Sequence, residues 1–160
     1  MTLEELSEVD AGVFVLESVS AFVADLVESG VDRDVAAAAT DDYMGRLLPE
    51  GVRTDGHRFR GIEEAGRRVG RLWFGPIRES PGDCYLFEID IEQEERGQGL
   101  GRMALELVIS ELQRSTFDRL GLNVFDSNAA ARALYESLGF EDGGHSDGGS
   151  EMWLPLAAPR

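Results

Sequence analysis

Seven consecutive residues, Arg96-Gly97-Gln98-Gly99-Leu100-Gly101-Arg102, have the composition of an anion-binding turn. Glycines let a backbone turn tightly and come close to a ligand. The apolar spacing that follows, Leu105, Val108, Ile109 and Leu112, is that of a helix, so the loop opens one. The first N–H groups of a helix have no internal partner and carry the positive end of its dipole. Such a turn suits a phosphate. A Walker A loop needs a lysine before its Ser/Thr, and this chain contains no lysine. Gly99, Gly101 and Ala104 satisfy the weak form of a dinucleotide-binding loop. That loop leaves its strand almost directly, whereas seven residues, Glu92 to Gln98, intervene here, and no βαβ repeat surrounds it. A plain strand-to-helix turn would need one glycine rather than three.

Other residue types point to chemistry nearby. Arg96 and Arg102 flank the loop, where guanidinium groups could hold phosphate oxygens. They could equally balance Glu94 and Glu95 at the surface. Asn128 and Tyr135 are seven residues apart, so on a helix they share a face about 10 Å apart along its axis. Asn128 could also cap that helix, and Tyr135 could pack beside Leu134 and Leu138. Glu88 and Asp90 lie on one face of an alternating strand, where a carboxylate is costly unless used or paired, Arg71 being a candidate partner. Cys84 reads as a small buried residue, and His57 and His145 as surface residues without a catalytic role. One cysteine and two distant histidines supply neither a disulfide framework nor metal-ligand spacing.

The run Arg96 to Gly101 fits the pattern Gln/Arg-x-x-Gly-x-Gly/Ala, and resembles motif A, the coenzyme A pyrophosphate loop of the GNAT superfamily of N-acetyltransferases. Asn128 to Phe140 is similar to motif B of that family, N-x-x-A-x-x-L-Y-x-x-x-G-F. The resemblance is specific over 84–141. It is looser over 43–75, where Leu47-Leu48-Pro49 and Leu72-Trp73-Phe74-Gly75 fit one bacterial and archaeal subgroup. It implies a mixed α/β fold of α+β layers, a mostly antiparallel splayed sheet flanked by helices, in one domain over 1–160. The sheet is expected to splay after residue 89, at a bulge between the strands at 84–91 and 119–125. The resemblance places pantetheine against the backbone of Ile89 and Ile91. It places pyrophosphate on the amides of Gly97, Gln98, Gly99, Leu100, Gly101 and Arg102, with Arg96 acting largely through its backbone. Asn128 and Tyr135 would lie along the pantetheine arm.

The implied activity is transfer of acetyl from acetyl-CoA to an amine, by direct attack through a tetrahedral intermediate, without a metal. Glu88, through water, would accept the amine proton, a backbone N–H near Ile89 would meet the oxyanion, and Tyr135 would protonate the leaving thiolate. The alternative is a non-catalytic CoA-binding or interaction module on the same scaffold. The chain departs from the family at Glu92-Gln93, where a proline often sits. It carries Asn123 where members that acetylate ribosomal proteins or N-terminal peptides carry glutamate, and its first strand is short or missing.

The elements that must position these residues follow from periodicity. Thr2–Leu6 reads as a short edge strand. Asp10 reads as the N-cap of a helix striped by Val15, Val19, Phe22 and Leu26 and ended by Ser29-Gly30. Asp32 or Asp34 starts a second helix, with Ala39, Tyr43 and Leu47 on one side, which stops at Pro49. His57–Ile62 and Arg67–Phe74 read as a hairpin broken by Gly75-Pro76, with a turn at Ser80–Asp83. In 84–91, Tyr85, Phe87, Ile89 and Ile91 share one face and Cys84, Leu86, Glu88 and Asp90 the other. After the glycine-loop helix come a strand at Arg119–Phe125, a helix from Asn128 to Leu138 ended by Gly139, a loose loop at Asp142–Gly149, and a last strand at Glu151–Leu156.

Composition bounds the partners. All fifteen basic residues are arginine, against 31 acids, for a net charge of −16 over 160 residues. Such a charge repels nucleic acid and anionic membranes and keeps a protein dispersed, so a monomer or homodimer is expected. The acceptor is then a small-molecule or peptide amine. An acidic, lysine-free surface suggests a salt-loving source, or base composition alone. No stretch approaches 18 apolar residues and the acidic start lacks a basic n-region, which together suggest a cytoplasmic protein.

Overall fold

The computed structural model describes residues 1–146 and 148–157. Seven strands form one sheet: β1 Thr2–Glu5, β2 Arg58–Glu64, β3 Arg67–Ile77, β4 Ser80–Ile91, β5 Arg119–Phe125, β6 Glu141–Ser146 and β7 Gly149–Pro155. Their spatial order is β1-β2-β3-β4-β5-β7-β6. Every neighbouring pair is antiparallel except β4 and β5. Four helices flank the sheet: α1 Glu8–Glu28, α2 Arg33–Leu47, α3 Leu100–Leu112 and α4 Ala129–Ser137. The parallel pair is adjacent because α3 supplies the crossover that a parallel connection requires. None of the described helices is long and apolar enough to cross a membrane.

Each face of the sheet has its own core. On one face Leu100, Leu105, Val108 and Leu112 of α3 pack with Tyr135 of α4 against Leu72, Phe74, Cys84, Leu86 and Leu122. Burying each such aliphatic side chain contributes about 1.5–3 kcal/mol. On the other face Ala11 and Phe14 of α1 pack on Phe59, Trp73 and Phe87. The starts of α1 and α2 are capped by side chains. Ser7 Oγ accepts from the Asp10 N–H at 3.1 Å, so Ser7 is the N-cap of α1 and Asp10 lies in its first turn, where its charge suits the dipole. Asp32 caps α2 by accepting from Asp34 and Val35.

Several expectations change. The first strand is present, paired with β2 from Thr2 opposite Glu63 to Glu5 opposite Arg60. Gly75-Pro76 does not break β3, which runs to Ile77. Pairing with β2 has already ended at Phe74, so the missing Pro76 N–H leaves no gap in that ladder. Ser80–Asp83 belongs to β4, and the turn is Arg78-Glu79. Most of Asp142–Gly149 is strand, β6 paired with β7, with Asp147 outside the described residues. Gly143 permits this because the Trp153 ring lies where its Cβ would be.

The alternation in β4 is also interrupted. Trp73 pairs with Glu88 but Phe74 pairs with Leu86, so Phe87 is an extra, bulged residue. Cys84 and Leu86 face the α3 core, and after the bulge Ile89 and Ile91 do so too. Phe87 packs in the α1 core, and Glu88 stands on that same side opposite Trp73. Tyr85 and Phe87 therefore do not share a face with Ile89 and Ile91. The β4–β5 ladder runs only from Asp83 opposite Arg119 to Leu86 opposite Leu122, so the sheet opens after Leu86 rather than after residue 89.

The β2–β3 turn is Ala65-Gly66, with φ of +53° and +75°, as a two-residue hairpin turn demands. Alanine is strained there and asparagine is not. Ala65→Asn should stabilise the fold by about 0.5–1 kcal/mol. Urea unfolding checks this; no gain would show that the strain is relieved some other way.

Candidate active site

The opening between β4 and β5 is the mouth of a cleft of about 630 Å³, walled by α1, α2 and α4. Phe22 and Asp25 of α1, Tyr43 of α2, Glu88 of β4, Asn123 of β5 and Tyr135 of α4 all line it. The Val19, Phe22 and Leu26 stripe of α1 faces this cleft, which is why Phe22 stays 40% exposed. A smaller cleft of about 340 Å³ near Arg53 and His57 lies away from the glycine loop.

The glycine loop begins after a short 3₁₀ turn at Gln93–Glu95. Gly99 caps α3 with φ of +77°, and Gly97 has φ of +80°, conformations in which other residues are strained. The Met103 N–H donates to the Gly99 carbonyl at 3.1 Å. No partner among the described residues accepts from the amides of residues 97–102. Six consecutive unpaired N–H donors at the positive end of a 13-residue helix fit a pyrophosphate.

The ladder also aims the backbone of β4. The Glu92 N–H donates to the Val69 carbonyl, and by alternation Asp90 and Glu88 bond to β3 as well. Ile89 and Ile91 therefore turn their N–H and C=O groups toward the gap, where β5 no longer pairs. Arg96 Nε donates to the Ile91 carbonyl at 2.9 Å, closing one of these positions.

The remaining side chains divide. Asn128 Oδ1 accepts from the Ala131 N–H at 3.1 Å, so Asn128 caps α4 while lining the cleft. The Arg102 guanidinium donates to Glu106 and to Ser137, which holds it against α3 and α4. Arg71 bonds Glu17 of α1 at 2.7 Å and Asp90 at 3.2 Å, and does not pair with Glu88. Glu88 has no ion-pair partner among the described residues. Burial first, and the Asp90 charge second, push its carboxyl up to about 7. Tyr135 is 8% exposed, and burial first, then the Glu88 charge, push its phenol up to about 12. The Glu88 charge thus acts directly on Tyr135. Cys84 is buried, as its size and polarity suggest. His145 is exposed and bonds Asp126 at 2.8 Å. His57, by contrast, is buried and accepts at Nδ1 from the Trp73 indole at 3.1 Å. Burial lowers it to about 4, so it is a neutral core residue that orients Trp73.

Asp25, Tyr43, Glu151 and the stacked rings of Trp73 and Phe87, 4.6 Å apart, are cleft residues that the sequence did not single out. Glu151 alternates with Trp153 in β7, a signal of shared facing but not of the cleft.

The sequence model of the Acetyltransferase (GNAT) family matches residues 26–140. The chain belongs to the GNAT acetyltransferase family. It is 27% identical over 143 residues to the N-acetyltransferase YdgE of Bacillus subtilis, covering 87% of this chain and 90% of that one. Over 60 residues it is 51% identical to the ribosomal protein bS18-alanine N-acetyltransferase of Escherichia coli, covering 38% and 40% of the two chains. The solved structure of the acetyltransferase YycN of Bacillus subtilis superposes with a TM-score of 0.80 at 22% identity, covering 91% of this chain and 94% of that one. An N-acetyltransferase of Thermoplasma acidophilum in complex with coenzyme A superposes with a TM-score of 0.66 at 16% identity, covering 97% and 99%. These two likenesses are of fold. Acetyl transfer to an amine is the activity that this GNAT chain shares with its relatives, and acetyl-CoA is the donor the family uses. No comparison supports a non-catalytic module.

A carboxyl raised on folding contributes stability that is fully present below its unfolded pKa and is lost as pH rises through its folded pKa. For Glu88 that window runs from about 4.5 to about 7. Glu88→Gln should therefore gain thermal stability over the wild type at pH 8, and less at pH 5. Equal differences at both pH values would place the Glu88 carboxyl in water.

Proposed function

We propose that Glu88 and Tyr135 form the acid–base pair of this N-acetyltransferase, and that the amides of residues 97–102 hold the pyrophosphate of acetyl-CoA. The observation that carries the reading is the placement of Glu88. It sits on the cleft side of the bulge without an ion-pair partner among the described residues, close enough to Tyr135 for its charge to raise the phenol, beside the gap where β4 and β5 part.

Acetyl-CoA supplies a thioester, an acyl group activated toward amines. The six free amides bind its diphosphate, and the Ile89 and Ile91 backbone supports the pantetheine arm. The Asn128 side-chain NH₂ group, left over once its oxygen caps α4, donates alongside them. Glu88 takes the proton that an acceptor amine must lose. A pKa near 7 suits this task, because a base titrating near the working pH is both available and strong enough. The Ile89 N–H donates to the oxygen that gains charge during attack.

Tyr135 gives its proton to the departing sulfur. A phenol near 12 is a weak donor for a thiolate whose acid has a pKa of about 8.5. Part of that elevation comes from the Glu88 charge, which vanishes when Glu88 accepts the amine proton. Proton uptake at Glu88 therefore acidifies Tyr135 at the moment its proton is needed. The Arg102 guanidinium, held by Glu106 and Ser137, reaches phosphate only by giving up one of these contacts.

Acetyl-CoA should raise the melting temperature, by the equivalent of about 2.7 kcal/mol at a hundred times its Kd. Gly99→Asp should remove the shift, since it adds a charge and a Cβ at a positive-φ position facing phosphate. A folded Gly99→Asp variant with a full shift would move the phosphate site elsewhere.

Tyr135→Phe should keep that thermal shift and lower kcat by about 10²–10⁴-fold, with kcat/KM falling equally. The ring contact with Phe140, at 5.8 Å between centroids, survives the change. Unchanged turnover would leave Tyr135 a packing residue.

A further inference from the structure

The cleft does not end at Glu88. It runs back along β4, past Phe87 and Tyr85, to Glu151 of β7. Asn123 of β5 pairs with Glu151, one position beyond Leu122, which pairs with Leu86. Glu151 thus lies two strands away from β4, on the far side of β5. Tyr43, Trp73, Tyr85 and Phe87 wall the space between the two carboxylates.

Among the described residues no arginine and no histidine lines this cleft, although the chain is rich in arginine. Acids that pack around the cleft's outer wall and the sheet are paired in several places: Glu17 and Asp90 with Arg71, Glu111 with Arg60, and Asp83 with both arms of Arg119. The acids that line the cleft, Asp25, Glu88 and Glu151, have no ion-pair partner among the described residues. Glu151 is nevertheless fixed in place. Its Oε1 accepts from the Trp153 indole N–H at 2.8 Å, which leaves Oε2 for another donor. The Glu151 charge reaches into the cleft, where it helps to raise the Tyr85 phenol after burial. Ser18 Oγ, also on the cleft wall, is shut off from water and has no hydrogen-bond partner among the described residues.

We propose that Glu151 selects the acceptor: a small amine carrying a second cationic group, which Glu151 holds across the aromatic wall while the nucleophilic nitrogen lies at Glu88. This rests on the acetyl-transfer reading above. Two carboxylate poles joined by ring faces match a molecule with two cationic ends and an apolar middle. Ring faces favour the cations as well as the spacer. A monoamine would occupy the Glu88 end and leave Glu151 Oε2 without a donor.

The test compares 1,5-diaminopentane with pentylamine, acceptors that differ by the second charge, in steady-state assays with acetyl-CoA. The wild type should favour the diamine in kcat/KM by about tenfold or more. Glu151→Gln keeps an oxygen for the Trp153 N–H and removes the charge. It should bring the ratio down about tenfold, through a higher KM for the diamine rather than a lower kcat. Glu4→Gln, exposed on β1, makes the same change in net charge and should leave the ratio as it is. A wild-type ratio near one overturns the proposal, and so does a ratio that Glu151→Gln leaves intact or that Glu4→Gln lowers as much. Acetylation of neither amine overturns it too. In that case the acetyl-CoA thermal shift separates the two failures: with the shift present only the acceptor assignment falls, and with it absent the acetyl-CoA reading falls as well.

Discussion

The parting of β4 from β5 after Leu86 is the constraint on which the rest depends. A parallel pair inside a sheet normally satisfies its backbone groups along its whole length. Here the ladder stops four residues after it begins, and the backbone of Ile89 and Ile91 is turned toward a gap, with the Ile91 carbonyl taken by Arg96. Unpaired backbone groups need a partner or water. An extended substrate arm is one such partner, and the proposed pantetheine site uses the break in this way. The bulge at Phe87 makes the break useful. Without it, alternation from the buried Leu86 would carry Glu88 into the α3 core and turn Ile89 toward α1. One extra residue exchanges those faces, delivering a carboxylate to the cleft and returning the isoleucines to the core.

Electrostatics divides the molecule in a matching way. Lysine is absent, so arginine carries the permanent positive side-chain charge, and its planar fork suits paired contacts with carboxylates. Arg71 shows the pattern most fully. It bridges Glu17 and Asp90 while its guanidinium lies 4.5 Å from the centre of the Phe14 ring, pinning α1 to β4 beside the site. Holding Asp90 there keeps a negative charge next to Glu88, and that charge, with burial, sustains the raised Glu88 pKa. Arginine thus braces the wall of the cleft without entering it. The acids lining the cleft form no ion pair among the described residues, although Arg71 and Arg119 act on Glu88 and Glu151 from a distance.

The two titrating groups of the site are coupled through this arrangement. Glu88 lies between Asp90 on its own strand, Asp25 on α1 and Tyr135 on α4, and its charge is felt by the phenol. A carboxylate whose charge raises a neighbouring phenol can gain a proton as that phenol loses one. No helix alone builds that pair, since Glu88 and Tyr135 meet only because the sheet opens between them.

Much was legible in the sequence because local rules govern it. The glycine loop declares itself, since its spacing demands positive φ and free amides whatever surrounds it, and β5, α3 and α4 follow their periodicity almost to the residue. Asn128 and Tyr135 fall on one helix face by arithmetic alone. What periodicity could not show is where it fails. A strictly alternating run from Cys84 to Ile91 gives no sign of a bulge, because the extra residue at Phe87 is decided by pairing with Trp73 and Phe74. Gly143 and Gly144 look like a loop until Trp153 fills the space beside Gly143. His57 looks exposed until the Trp73 indole reaches it. Glu151, far along the chain from Glu88 and Asp25, joins them only through the pairing of β5 with β7 and the placing of α1 over the cleft. The chain by itself determined the glycine loop and the helix that carries Tyr135, because both are set by spacing within a few turns of backbone. Tertiary structure alone decided which acid faces the tyrosine and which acids go unpaired, because both depend on strand register and on how far apart two strands are held.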